Sequence, residues 1–125
     1  MKLFLSLMLI SSLSMAEDVK LTPENTVVLR DEINMETVIT AQTDLIKLVT
    51  KRGSKEYPIY LVLDSPGGSV FAGDIFIQFA KKIKNLKTIT VFAASMAAVT
   101  AESLPGERLI TENGVLMFHR AKGQF

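Results

Sequence analysis

The sequence predicts an α/β domain with a largely parallel sheet, on three observations. Apolar, β-branched runs alternate along the chain with stretches of helical periodicity. The central run "IYLVLD", Ile59 to Asp64, is apolar almost throughout, as a strand covered on both faces must be. Two strand ends, "DSPGGSV" and "FAASMAA", pass through small residues directly into a helix start. Strands joined by helices in this way pair in parallel through right-handed crossovers.

The first segment in chain order stands apart from that domain. "MKLFLSLMLISSLSMA" sets Lys2 before an apolar run from Leu3 to about Leu13 and closes on Ser14-Met15-Ala16, a small-x-small pattern. This is the form of a secretory signal peptide, and its apolar run is short for a membrane span. The expectation is residues 1–16 as a signal peptide cleaved after Ala16, giving an exported protein, periplasmic or secreted. An uncleaved N-terminal membrane anchor is the alternative. Cleavage leaves 109 of the 125 residues, 17–125, as one small domain with its own core.

Within that domain "TVVLRDEI", Thr26 to Ile33, reads as a strand. Asn34 then offers a helix N-cap, with Glu36 in the first turn. Met35, Val38, Ile39, Leu45, Ile46 and Val49 follow at helical spacing, and Lys51-Arg52-Gly53 closes the helix. The Ile59–Asp64 strand leads through "SPGGS" to a second helix, from Val70 to about Lys84. "KTITVF", Lys87 to Phe92, is the next strand. A short helix of small residues starts at Ser95 and stops before Pro105-Gly106. "RLIT" and "VLMFH" flank Glu112-Asn113-Gly114, a strand–turn–strand signal.

Composition narrows the chemistry. Without Lys2 the basic and acidic residues balance at 13 each, so no basic excess supports nucleic-acid binding. The chain has no cysteine, which excludes disulfides, thiol nucleophiles and zinc–thiolate sites, and the lone His119 excludes a multi-histidine metal site. Neither a metal nor an organic cofactor is called for.

Three stretches remain that could carry a reaction. In "DSPGGSV", Pro66, Gly67 and Gly68 stand at a helix N-terminus, where free N–H groups favour negative charge. This suits an ordinary tight turn or an oxyanion hole, but not a phosphate loop, since no Gly-Lys-Ser/Thr follows. In "FAASMAA", Ser95 stands at a strand–helix junction among alanines, either as a helix cap or as a nucleophile that substrate can approach closely. "LMFH" ends an apolar strand on His119, a structural histidine or the single imidazole base that a serine nucleophile needs.

In this order and spacing, "YLVLDSPGGSVFAG", "AASMAA" and "VLMFH" resemble the Clp protease proteolytic subunit family, the ClpP-like peptidases of the ClpP/crotonase fold. The resemblance runs from about Val27 to the C-terminus. It implies a repeated β-β-α spiral, here as a partial domain. By position it makes Ser95 the nucleophile, His119 the general base, and the N–H groups of Gly68 and Met96 the oxyanion hole. The family's third triad residue, an aspartate, lies several dozen residues beyond the histidine, whereas this chain ends at Phe125. The sequence is therefore expected to be an N-terminal portion that lacks the C-terminal part, with no acid assigned.

The implied function is a serine endopeptidase acting on peptide or unfolded protein, a homo-oligomer at full length. Export removes a cytosolic ATPase partner and its ATP, so cleavage is expected to be ATP-independent. Val91, Ala97 and Arg120-Ala121 depart from residues usual in the family and bear on the shape of the pocket. Two alternatives stay open: a signal-peptide-peptidase-like enzyme with a serine–lysine dyad, and a non-catalytic peptide-binding remnant of the fold. A crotonase-type acyl-CoA enzyme ranks last, since it needs no serine–histidine pair.

Overall fold

The computed structural model describes residues 3–9 and 16–118. In chain order the elements are β1 (Leu3–Leu9), β2 (Ala16–Leu21), β3 (Thr26–Ile33), α1 (Met35–Arg52), β4 (Ile59–Gly68), α2 (Val70–Ala80), β5 (Leu86–Ala94), α3 (Met96–Ser103) and β6 (Arg108–Met117). One sheet takes the order β2-β1-β6-β5-β4-β3. Its β3, β4, β5 and β6 pair in parallel, each joined to the next by a helix, as the alternation of runs requires. Three right-handed crossovers stepping in one direction place α1, α2 and α3 on one face of the sheet.

Side-chain alternation along β4 shows what the two faces do. Ile59, Leu61 and Leu63 point into the main core with Val38, Leu45, Phe76 and Leu104 from the helices and loops. Tyr60 and Val62 point the other way, into a smaller cluster with Ile89, Leu109 and the β2 residues Val19 and Leu21. Both faces are thus covered, which is why the run reads as continuously apolar.

The helix boundaries follow from their caps. Asn34 accepts from the Thr37 N–H, and Thr37 Oγ1 accepts from the Asn34 N–H, a reciprocal capping box at the start of α1. Gly53, with φ 59°, ends that helix by donating to Val49 O. Ser69 caps α2 through the Ala72 N–H.

Four sequence expectations are corrected. β4 runs on through Ser65-Pro66-Gly67-Gly68 instead of stopping at Asp64, because Glu32 and Ile33 of β3 still pair with Gly67 and Gly68. α2 ends at Ala80 rather than near Lys84, and the Lys82 and Ile83 N–H groups close short turns onto Phe79 and Ala80 carbonyls. β5 extends from Leu86 to Ala94. Finally, Glu112-Asn113-Gly114 does not reverse the chain. Thr90 pairs with Ile110 and Phe92 with Val115, both in the parallel sense, so residues 111–114 bulge out opposite Val91 and β6 continues in the same direction.

The expected signal peptide contains β1. This strand pairs antiparallel with β2 along its length and with β6 through Leu7–Leu9 against Thr111–Leu109. A cleaved leader and this strand exclude each other in a mature chain: removal of residues 1–16 takes away β1 and the first residue of β2, and leaves the rest of β2 with its core residues Val19 and Leu21.

Candidate functional site

Parallel strands bring their C-terminal ends to one edge of the sheet, and the three candidate stretches meet there. Ser65 of β4 pairs with Ala93 of β5, and Ala93 and Ala94 pair with Leu116 and Met117 of β6. One residue beyond β5, Ser95 donates its N–H to Met117 O at 2.9 Å. The two strands are thereby tied at the point where β5 turns into α3.

Ser95 has φ 57° and ψ −124°, a conformation that a residue with a Cβ adopts only under constraint. It occupies the N-cap position of α3, yet its side chain makes no capping hydrogen bond. That outcome decides against helix capping as the reason for a serine here. The side chain is half-buried, and its hydroxyl has no partner among the described residues. Behind it, α3 is held by Val99 N–H to Ser95 O at 3.1 Å and by Thr100 Oγ1 to Met96 O at 2.8 Å. The small neighbours Ala93, Ala97 and Ala98 are wholly buried, so the helix start packs directly on the sheet.

Gly67 and Gly68 close the other side, with φ 100° and 150°. A Cβ on Gly67 would lie 2.6 Å from Ala94 O, 2.8 Å from Ser95 Cβ and 2.9 Å from Met96 N. Only a glycine backbone fits this close to the Ser95 junction. A Cβ on Gly68 would run into Ile33 O and N of β3, and the following Ser69 N–H donates to that same Ile33 O at 2.8 Å. The two glycines are thus clamped between β3 and the start of α3. Of the residues singled out from sequence, Ser95, Met96 and Gly68 are therefore gathered at one place. His119 lies outside the described residues; Met117, two positions before it, is the residue bonded to Ser95.

An open groove of about 850 Å³ begins at the same helix starts, lined by Val70, Phe71, Ile77, Met96 and Val99, with Asp74 at its side. Val70 and Phe71 are each 71 % exposed, an unusual state for such side chains beside a site that small residues keep open. A second, polar hollow of about 490 Å³ lies at the opposite end of the strands, by Arg52, Lys55 and Lys84. Among the described residues, no three His, Asp or Glu side chains converge as a metal site.

Sequence reading missed two features of this edge. Asp31 has φ 66°, inside an irregularity of β3 where Arg30 pairs with Asp64 but Glu32 with Gly67. Ser65 is fully buried, and its hydroxyl bonds both to Asp31 O and to the Gly67 N–H. A serine closing an otherwise apolar strand was the one trace of this in the sequence.

Comparison with known proteins places the chain in a family. The sequence pattern of the Clp protease family matches residues 14–125. An ATP-dependent Clp protease proteolytic subunit from Pleurastrum terricola is 38% identical over 104 residues, covering 80% of this chain and 52% of the relative. An ATP-dependent Clp protease proteolytic subunit 2 from Prochlorococcus marinus (strain NATL2A) is 35% identical over 107 residues, covering 83% of this chain and 52% of the relative. The chain spans about half the length of these curated relatives.

Proposed function

This chain belongs to the Clp protease family; from that membership we propose that it is part of a serine endopeptidase, and from its leader-like first sixteen residues that this enzyme is exported and ATP-independent. The observation that carries the catalytic reading is Ser95: a strained serine at a helix start, its hydroxyl uncommitted, facing a glycine turn that approaches Met96 N.

In this proposal Ser95 Oγ attacks the carbonyl carbon of a peptide bond while His119 takes its proton. The N–H groups of Gly68 and Met96 stabilise the oxyanion; Met96, as the first residue of α3, has an N–H without an intrahelical partner. Collapse of the tetrahedral intermediate expels the amine with the proton from His119, and water then hydrolyses the acyl-enzyme. The groove beside Phe71 and Val99 favours an extended, apolar or loosely folded substrate. Oligomerisation belongs to the full-length protein, as does an acid that orients His119.

Export rests on the leader-like sequence, and the family match beginning at residue 14 leaves most of that segment outside the family domain. Among the described residues no helix is long and apolar enough to cross a membrane. Outside the cytoplasm neither an unfoldase nor ATP is at hand, which supports ATP-independent cleavage.

The test is intact-mass analysis of the natural protein before and after a fluorophosphonate serine probe. One adduct, mapped to Ser95 and lost in both Ser95→Ala and His119→Ala, supports a serine–histidine peptidase. Labelling that survives His119→Ala points to the serine–lysine alternative. No adduct on a folded protein that still binds peptide leaves a non-catalytic module.

A further inference from the structure

We propose that Ser65 is a positioning residue of this site: its hydroxyl sets the oxyanion-binding turn against Ser95. The inference rests on the peptidase reading above and deepens it.

The need for such a group arises in the β3–β4 ladder. Between the pairs Arg30↔Asp64 and Glu32↔Gly67, Asp31 alone stands opposite both Ser65 and Pro66. A mismatch of this kind breaks the regular alternation of ladder hydrogen bonds. Asp31, at φ 66°, turns its carbonyl out of register, and Pro66 brings no N–H to meet it. On the same stretch the Gly67 N–H needs an acceptor. The Gly67 N–H is buried together with Ser65, which is 0 % exposed, so water is not at hand to serve it; Asp31 is exposed, and its bond to Ser65 is part-buried.

One hydroxyl answers both. Ser65 Oγ donates to Asp31 O at 2.5 Å and accepts from the Gly67 N–H at 3.1 Å. Few side chains of this size can do so: alanine offers neither function, and a thiol donates and accepts weakly. The bond reaches the reaction centre in one step. Gly67 is the residue whose Cβ would strike Ala94 O, Ser95 Cβ and Met96 N, so its placement fixes the gap between the glycine turn and the nucleophile. Gly68, next along, carries one oxyanion N–H of the proposed mechanism. Ser65 touches neither substrate nor reacting atoms; it acts through Gly67.

The consequence is specific. Misplaced oxyanion donors weaken the transition state and leave ground-state binding intact, so kcat falls while KM holds. The experiment compares the natural full-length protein with Ser65→Ala, Ser65→Cys and a core control on α1, Leu45→Ala. It reads kcat and KM on a peptide substrate, the labelling rate of Ser95 by fluorophosphonate, thermal stability, and hydrogen exchange at the Gly67 amide. Expected for Ser65→Ala is a fall in kcat of about 10- to 100-fold, the scale of a displaced catalytic group. KM should stay within about twofold, labelling should slow in parallel, and the Gly67 amide should exchange faster. Ser65→Cys should recover part of the loss, and Leu45→Ala should lose stability while keeping kcat per folded molecule.

The proposal is overturned if wild type turns over peptide and Ser65→Ala keeps wild-type kcat, or loses activity only in proportion to its folded fraction, as Leu45→Ala would. A wild-type protein that neither labels nor cleaves would overturn the peptidase reading, and the positioning role with it. Even then, exchange at Gly67 would still report whether the hydroxyl holds the turn.

Discussion

At Gly67 a single methyl group is enough to test how tightly the site is built. Gly67→Ala would put a Cβ 2.6 Å from a backbone carbonyl, at a φ of 100° that side chains resist. Backbone strain of this kind costs on the order of 1–3 kcal/mol. Urea unfolding should register that loss, and Ser95 labelling should drop more than stability alone explains. Ser95→Ala is predicted to behave in the opposite way. It removes a hydroxyl with no partner among the described residues, so the melting temperature should stay near wild type while labelling vanishes. A large fall in stability on Ser95→Ala would mean that the hydroxyl has a structural partner after all.

Helix α2 owes its start to one side chain. Ser69 Oγ accepts from the Ala72 N–H at 3.0 Å, and no acidic residue stands in that first turn to assist it. Ser69→Ala should therefore cost about 1 kcal/mol in equilibrium unfolding, the usual worth of an N-cap. An effect near zero would show that the strand–helix junction, through Ser69 N–H to Ile33 O, holds the helix alone. Strand β1 poses a different question at this scale. N-terminal sequencing of the natural protein should begin at Glu17 if the leader is cleaved after Ala16. In that case the β6 edge at Leu109–Thr111 loses its partner, and its outward-facing amides should exchange quickly. A mature chain that starts at Met1 would refute the leader and keep β1 in the sheet.

Across the whole molecule, stability is concentrated between the sheet and its three helices. Leu61 is 0 % exposed and sits in the middle of that core, so Leu61→Ala should destabilise by about 2–5 kcal/mol. Ile39, on the outer side of α1 and 54 % exposed, is the contrast: Ile39→Ser should change stability by no more than about 0.5 kcal/mol. A large loss for Ile39→Ser would identify that face of α1 as packed against something in the natural protein. On the opposite face of the sheet a smaller cluster forms, to which Val19 and Leu21 of β2 belong among the residues whose burial is described.

The sequence by itself determined the fold class, the order of parallel strands and helices, and both ends of α1. These rest on local signals: an apolar run, a 3.6-residue period, Asn34 and Gly53 at the caps. It also pointed to Ser95, Gly68 and Met96, through the resemblance of "DSPGGSV" and "FAASMAA", in that order, to the Clp protease family. Only the tertiary structure decided how these meet. Pairing with β3 carried β4 through Pro66 to Gly68, and pairing with β5 turned Glu112-Asn113-Gly114 into a bulge where a lone hairpin signal would have reversed the chain. The Ser65 hydroxyl shows the limit most clearly. Its two partners, Asp31 O and the Gly67 N–H, belong to different strands brought together by that irregular register, and no local pattern encodes a hydrogen bond between residues 34 apart.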